Sequence, residues 1–101
     1  MPRGFAGSKV DKNHLAIVQA LRRCGWYVIS LAPLGGGVPD ILVVSKSDHS
    51  RVLLMEIKSP GGKLTDQEKL FFAAYPGRAT IVYSPEGAVE NMSMFEKEVD
   101  E

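Results

Sequence analysis

Three charged residues stand where charge is expensive. Asp40 opens the apolar run Ile41-Leu-Val-Val, while Glu56 and Lys58 interrupt the run Val52-Leu-Leu-Met-Glu-Ile-Lys near its end. Runs this apolar have the character of strands covered on both faces. Residues two apart on a strand share a face, so Glu56 and Lys58 project to the same side. Between the runs, Lys46-Ser-Asp-His-Ser50 is a polar turn centred on Asp48. An antiparallel hairpin about that centre sets Asp40 opposite Glu56, with Cβ atoms about 5 Å apart. Facing carboxylates repel each other. Two arrangements relieve this: Lys58 neutralises one charge within a structural ion pair, or a divalent cation sits between the carboxylates, its shell completed by a backbone carbonyl and water. Hard oxygen donors of this kind suit Mg²⁺ or Mn²⁺. Such an ion polarises a phosphate and acidifies a bound water, and an adjacent lysine orients that water or stabilises the developing charge. The chemistry would be phosphodiester hydrolysis.

The elements that must hold these residues read as α-β-β-β-α-β-α. Ile17, Val18, Leu21 and Cys24 recur at helical spacing, which predicts a helix over 10–24, with Ser8 and Asp11 in the form of a capping box and Gly25 as its stop. WYVISL (26–31) reads as a short strand and APLGGGV (32–38) as a loop; Pro39 opens the strand through Ser45, and Arg51–Lys58 forms the next. Thr65-Asp-Gln-Glu68 supplies a second capping box for a helix through LFFAAY, ended by Pro76-Gly77. ATIVYS (79–84) is a fourth strand, and Ser84-Pro85 starts a last helix with Val89, Met92, Phe95 and Val99 on one stripe. Hairpins followed by a helical crossover predict an α/β fold with a mixed central sheet flanked by helices on both faces.

With 101 residues the chain is read as one domain, residues 1–101. A single cysteine excludes an internal disulfide framework, and two histidines, His14 and His49, leave little for a multi-histidine metal site. No run suggests a membrane span or a signal-peptide core, so the expected compartment is a reducing cytoplasm, with no membrane partner. The formal net charge is zero, but unevenly spread: residues 86–101 hold six acids and one base, which leaves that segment at −5 and the remainder at +5. A basic body is compatible with a nucleic-acid partner and equally with a solvated surface.

The segments GGGVPDILVV (35–44) and LLMEIKSPGGKLTDQEKLFF (53–72) resemble the virus-type replication-repair nuclease domain of the PD-(D/E)XK superfamily. The resemblance runs from about Asp11 to Val82, is most specific from Gly36 to Glu68, and suggests a stand-alone domain of phage or bacterial type. It implies a restriction-endonuclease-like αβββαβ core plus a C-terminal helix, metal-dependent hydrolysis of branched or flapped DNA in the manner of Holliday-junction resolvases, a role in DNA repair, and a homodimer. By position it implies that Asp40 and Glu56 are metal carboxylates, Ile57 supplies a backbone carbonyl to the metal, Lys58 is the catalytic lysine, and Gln67 is a polar residue facing the site from the following helix. Gln67 also fits a solvent-facing place in a first helical turn. The sequence departs from the superfamily in helix one, where many members carry a glutamate; none precedes Glu56 here. Asp11 and Asn13 are the nearest first-helix candidates. Asp11 is the better fit to a capping residue, and Asn13 would reach a metal through water. The departure bears on a second metal ion, not on the first.

Other residues carry weaker readings. Gly36 and Gly37 bring backbone N–H groups near a DNA phosphate or simply form a turn. No G-K-[ST] follows them, so no nucleotide cofactor is expected. Lys63 and Arg22 are candidate DNA-backbone contacts, with a solvated surface as the alternative. His14 and His49 read as surface residues, and Cys24, Trp26, Phe71, Phe72 and Phe95 as core. Against the nuclease stands a non-catalytic nucleic-acid-binding or assembly module of the same fold, whose polar trio is an ion pair; an RNA-directed nuclease is a third reading.

Overall fold

Ile17, Val18 and Leu21 line up along one side of α1 (Ser8–Arg23), and that side is buried. The structure, a computed structural model, describes residues 8–98. After α1 the chain forms β1 (Tyr27–Ser30), a single 3₁₀ turn at Ala32–Leu34, β2 (Ile41–Val44), β3 (Val52–Ile57), α2 (Asp66–Ala74), β4 (Ala79–Val82) and α3 (Pro85–Lys97). The predicted element order is observed. Helix α1 begins earlier than the expected residue 10; the side chains of Ser8 and Asp11, on which the first capping box and the Asp11 candidate rest, lie outside the described ones, as does Val99.

The sheet has four strands in the order β1-β2-β3-β4. The pairs β1–β2 and β2–β3 are antiparallel, and β3–β4 is parallel, joined by α2. Paired residues share a face. On one face Val28, Ile41, Val43, Leu53, Met55, Ile57 and Val82 are buried against Ile17 and Leu21 of α1 and Ala88, Met92 and Phe95 of α3. Thr80 belongs to that face, and its hydroxyl donates to Asn91 Oδ1 of α3 at 3.1 Å. The opposite face carries Leu42, Val44, Val52 and Leu54, all half-buried, with Tyr27 and Ile29 exposed. Helix α2 approaches this second face through its first turn but buries none of its own residues; Leu70 is 73% exposed. The covering of the two faces is therefore unequal. Phe71 and Phe72, expected in the core, are half-buried on α2.

Trp26 and Phe95 take the core places expected of them. Cys24 does not: it follows the last residue of α1, where helical spacing no longer governs direction, and it is exposed. His14 is half-buried and His49 exposed. Among the described residues no helix is long and apolar enough to cross a membrane.

Candidate functional site

The β2–β3 hairpin has the register deduced from its turn, Ile41 pairing with Met55 and Val44 with Val52. Continued by one residue, this register sets Asp40 across from Glu56. Asp40 lies just outside β2, and two bonds hold it there. Its carbonyl accepts from Leu31 N–H at 2.7 Å, extending the β1–β2 ladder, and its carboxylate Oδ2 accepts from Ile57 N–H at 2.9 Å. A carboxylate that receives a backbone N–H from the facing strand has a fixed direction.

Glu56 belongs by parity to the second face of the sheet, yet it is only 4% exposed. Its Oε2 lies 3.4 Å from Lys58 Nζ, while its Oε1 is buried with no hydrogen-bond partner. Burial, together with the charges of Asp40 and Glu68, pushes its pKa up to about 8, and the Lys58 ammonium offsets part of that rise. Lys58 continues β3 by one residue, anchored by its N–H to Val82 O at 3.1 Å. Burial disfavours its charge, but hydrogen bonding to Glu68 and the charges of Glu56 and Glu68 prevail, and its pKa is raised.

Glu68 is the member that the sequence does not single out as a site residue. It completes the α2 capping box, its Oε1 accepting from Thr65 N–H at 2.8 Å, and the same oxygen lies 2.9 Å from Lys58 Nζ. Burial opposes its ionisation, but the Thr65 N–H and Lys58 hold its carboxyl below the ordinary glutamate value. Gln67, its neighbour, is exposed and does not line the cavity. What Gln67 contributes is backbone: a Cβ on Gly37 would stand 2.7 Å from the Gln67 carbonyl oxygen, so the glycine loop and the first turn of α2 touch.

A cavity of about 380 Å³ opens over this cluster, lined by Asp40, Glu56, Ile57 and Lys58, with Asn13, Ser59, Gly62 and Lys63 at its sides. Asn13 also donates through Nδ2 to Tyr83 O at 3.4 Å. Gly36 is exposed, away from the lining. Arg22 is committed elsewhere: its Nη2 donates to Val28 O at 3.0 Å, covering a carbonyl on the free edge of β1. The structure thus gathers Asp40, Glu56, Ile57, Lys58, Asn13 and Lys63 and leaves Gln67, Gly36, Gly37 and Arg22 outside.

Does the cluster fit a divalent cation? Among the described residues no three His, Cys, Asp or Glu side chains form a ready ligand group. Two carboxylates with a backbone carbonyl and water are nonetheless a sufficient donor set for Mg²⁺ or Mn²⁺. The buried, unpartnered Oε1 of Glu56 beside Asp40 is the atom that such an ion would satisfy. The residues fit. Compared with known proteins, the chain matches no family model, no curated protein and no solved structure.

Proposed function

We propose that the chain is a divalent-metal-dependent DNA endonuclease acting on branched or otherwise structured DNA. The observation that carries this reading is the convergence of Asp40, Glu56 and Lys58 on one open cavity, with a buried Glu56 oxygen that no protein donor satisfies. The resemblance of GGGVPDILVV and LLMEIKSPGG to the virus-type replication-repair nucleases supports it, with the restriction-endonuclease-like core that family would have.

In this reading Asp40 and Glu56, with the Ile57 carbonyl, would hold Mg²⁺ or Mn²⁺. Such a cation supplies Lewis-acid polarisation of the phosphate and a more acidic bound water. Asp40 is held in direction by Ile57 N–H. Lys58 presents an ammonium 3.4 Å from Glu56 Oε2, where it would stabilise charge developing on the phosphate. Lys63 at the cavity wall contacts the DNA backbone. Contacts with the DNA backbone and with DNA shape would dominate recognition in this reading. A homodimer would present one site to each of two strands in a symmetric junction.

The test is cleavage of a labelled four-way junction in Mg²⁺ or Mn²⁺. Asp40→Ala and Lys58→Ala are expected to lower cleavage by roughly 10²-fold or more while DNA binding persists. Absence of metal-dependent cleavage in the unmutated protein overturns the reading. A second reading has its own support: Lys58 already bridges Glu56 and Glu68, an ion-pair cluster that a non-catalytic nucleic-acid-binding module would also need. That module would bind the junction with and without metal and cut neither DNA nor RNA.

A further inference from the structure

A lysine ammonium has three N–H donors and no acceptor. In Lys58 two carboxylates engage this group, Glu68 Oε1 at 2.9 Å and Glu56 Oε2 at 3.4 Å. Two fixed acceptors stop rotation about the Cε–Nζ bond and leave one donor with a set direction. Glu68 is itself fixed, because Oε1 also accepts from Thr65 N–H and its own N–H donates to Thr65 Oγ1 at 3.2 Å. The ammonium at the end of a flexible stem is thereby referenced to the rigid first turn of α2. Close packing reinforces this from the other side, since a Cβ on Gly62 would come within 3.2 Å of Lys58 Cβ.

We propose that Glu68 is a positioning residue: it holds the Lys58 ammonium so that its one uncommitted N–H faces a phosphate placed at Asp40 and Glu56. The consequence for catalysis rests on the nuclease reading; the fixing of the ammonium does not. A purely local role for Glu68, as the capping partner of Thr65, would need no contact with Lys58 at all.

Three variants separate the roles. Glu68→Ala removes the carboxylate half of the capping box together with the lysine contact. Glu68→Gln keeps an amide oxygen able to accept from both Thr65 N–H and Lys58. Thr65→Ala removes the hydroxyl half of the cap and leaves the Glu68–Lys58 contact. In ¹H–¹⁵N spectra of lysine ammonium groups in the whole protein, Lys58 is expected to give a slowly exchanging signal that survives Thr65→Ala and Glu68→Gln and vanishes in Glu68→Ala. In junction cleavage, Glu68→Ala is expected to lower kcat by about tenfold or more with KM little changed, as misplacement of a catalytic group does. Thr65→Ala keeps the Thr65 N–H bond to Glu68 Oε1, so it should reduce thermal stability and change kcat far less than Glu68→Ala does. A Lys58 signal unaffected by Glu68→Ala overturns the positioning role, whatever the activity. A signal lost in Glu68→Ala, in a wild-type protein that cuts nothing, upholds the positioning and overturns the nuclease reading instead.

Discussion

Glu56 occupies a place that suits a bound cation better than a solitary carboxylate. Its burial and the nearby charges of Asp40 and Glu68 put its pKa at about 8 in the folded protein, against 4.5 as the ordinary value. Between those two pH values the unfolded chain has released a proton that the metal-free folded protein still holds. Folded stability contributed by this group is therefore fully present below about pH 4.5, falls as pH rises, and levels off above about pH 8. Glu56→Gln removes that titration. In chelator the variant is expected to gain on wild type as pH rises and to melt roughly 5 °C higher or more at the alkaline end. Thermal melts across the range check this, and parallel pH profiles in the two proteins would count against it. A cation bound at the proposed site would work in the opposite direction: it requires Glu56 ionised, so its binding should release a proton and tighten as pH approaches about 8. Calorimetric titration with Mn²⁺ in buffers of different ionisation enthalpy counts that proton.

At the scale of elements, the hairpin is the part most legible in the sequence. Apolar runs of strand composition flank a polar turn of known length, and a one-residue slip would turn Leu53, Met55 and Ile57 out of the core, so register and the opposition of Asp40 to Glu56 follow together. Helix α2 is different. One residue along a helix rotates the side chain by about 100°, so choosing between Gln67 and Glu68 requires the phase of the helix. Normally a buried stripe sets that phase, but α2 buries no residue, and its capping box already accounts for Glu68 locally. The phase is fixed instead by tertiary contacts, Glu68 on Lys58 and the Gln67 backbone on Gly37. Arg22 escapes sequence reading for a related reason: nothing in its helix position announces that the edge carbonyl of Val28 lies within reach. Gly37 offers the test at this scale. Its φ is +87° and it abuts Gln67, whereas Gly36, at +67°, has nothing within 4 Å of a would-be Cβ. Gly36→Ala should cost only the left-handed backbone penalty, about 1 kcal/mol. Gly37→Ala adds a backbone clash and should cost clearly more, while shifting amide resonances through the first turn of α2. Equal melting temperatures for the two variants would contradict that contact.

For the whole molecule, the arrangement of the chain carries the later part of α3 away from the cavity, while Glu86 in its first turn stays at the cavity's end of the sheet. Strands β3 and β4 run parallel, so their C-terminal ends meet at the cavity, where Lys58 N–H bonds Val82 O. Helix α3 begins at that end, immediately after β4, and returns along the sheet. Near its own end Glu96 accepts from Ser45 Oγ at 2.9 Å and from Lys46 N–H, in the turn at the far end of the hairpin. The last described turn of α3 is thus carried away from Asp40 and Glu56, and Lys97 travels with it to a groove beside Lys46 and Trp26. A polyanion approaching the cavity meets Lys58 and Lys63 without passing Glu96. Each phosphate neutralised by a lysine releases condensed counterions, so its loss appears both as weaker binding and as a shallower dependence on salt. Lys63→Ala is expected to weaken junction binding and lower the slope of log K against log salt by about 1, similarly for junctions of different sequence. Lys97→Ala, of equal charge change but at the opposite end of the sheet, should leave both quantities as they are. Fluorescence anisotropy over a salt series in Ca²⁺ or chelator, where cutting does not interfere, distinguishes them. A slope that falls with Lys97 and not with Lys63 would place the nucleic acid at the wrong end of the sheet for Asp40 and Glu56 to act on it.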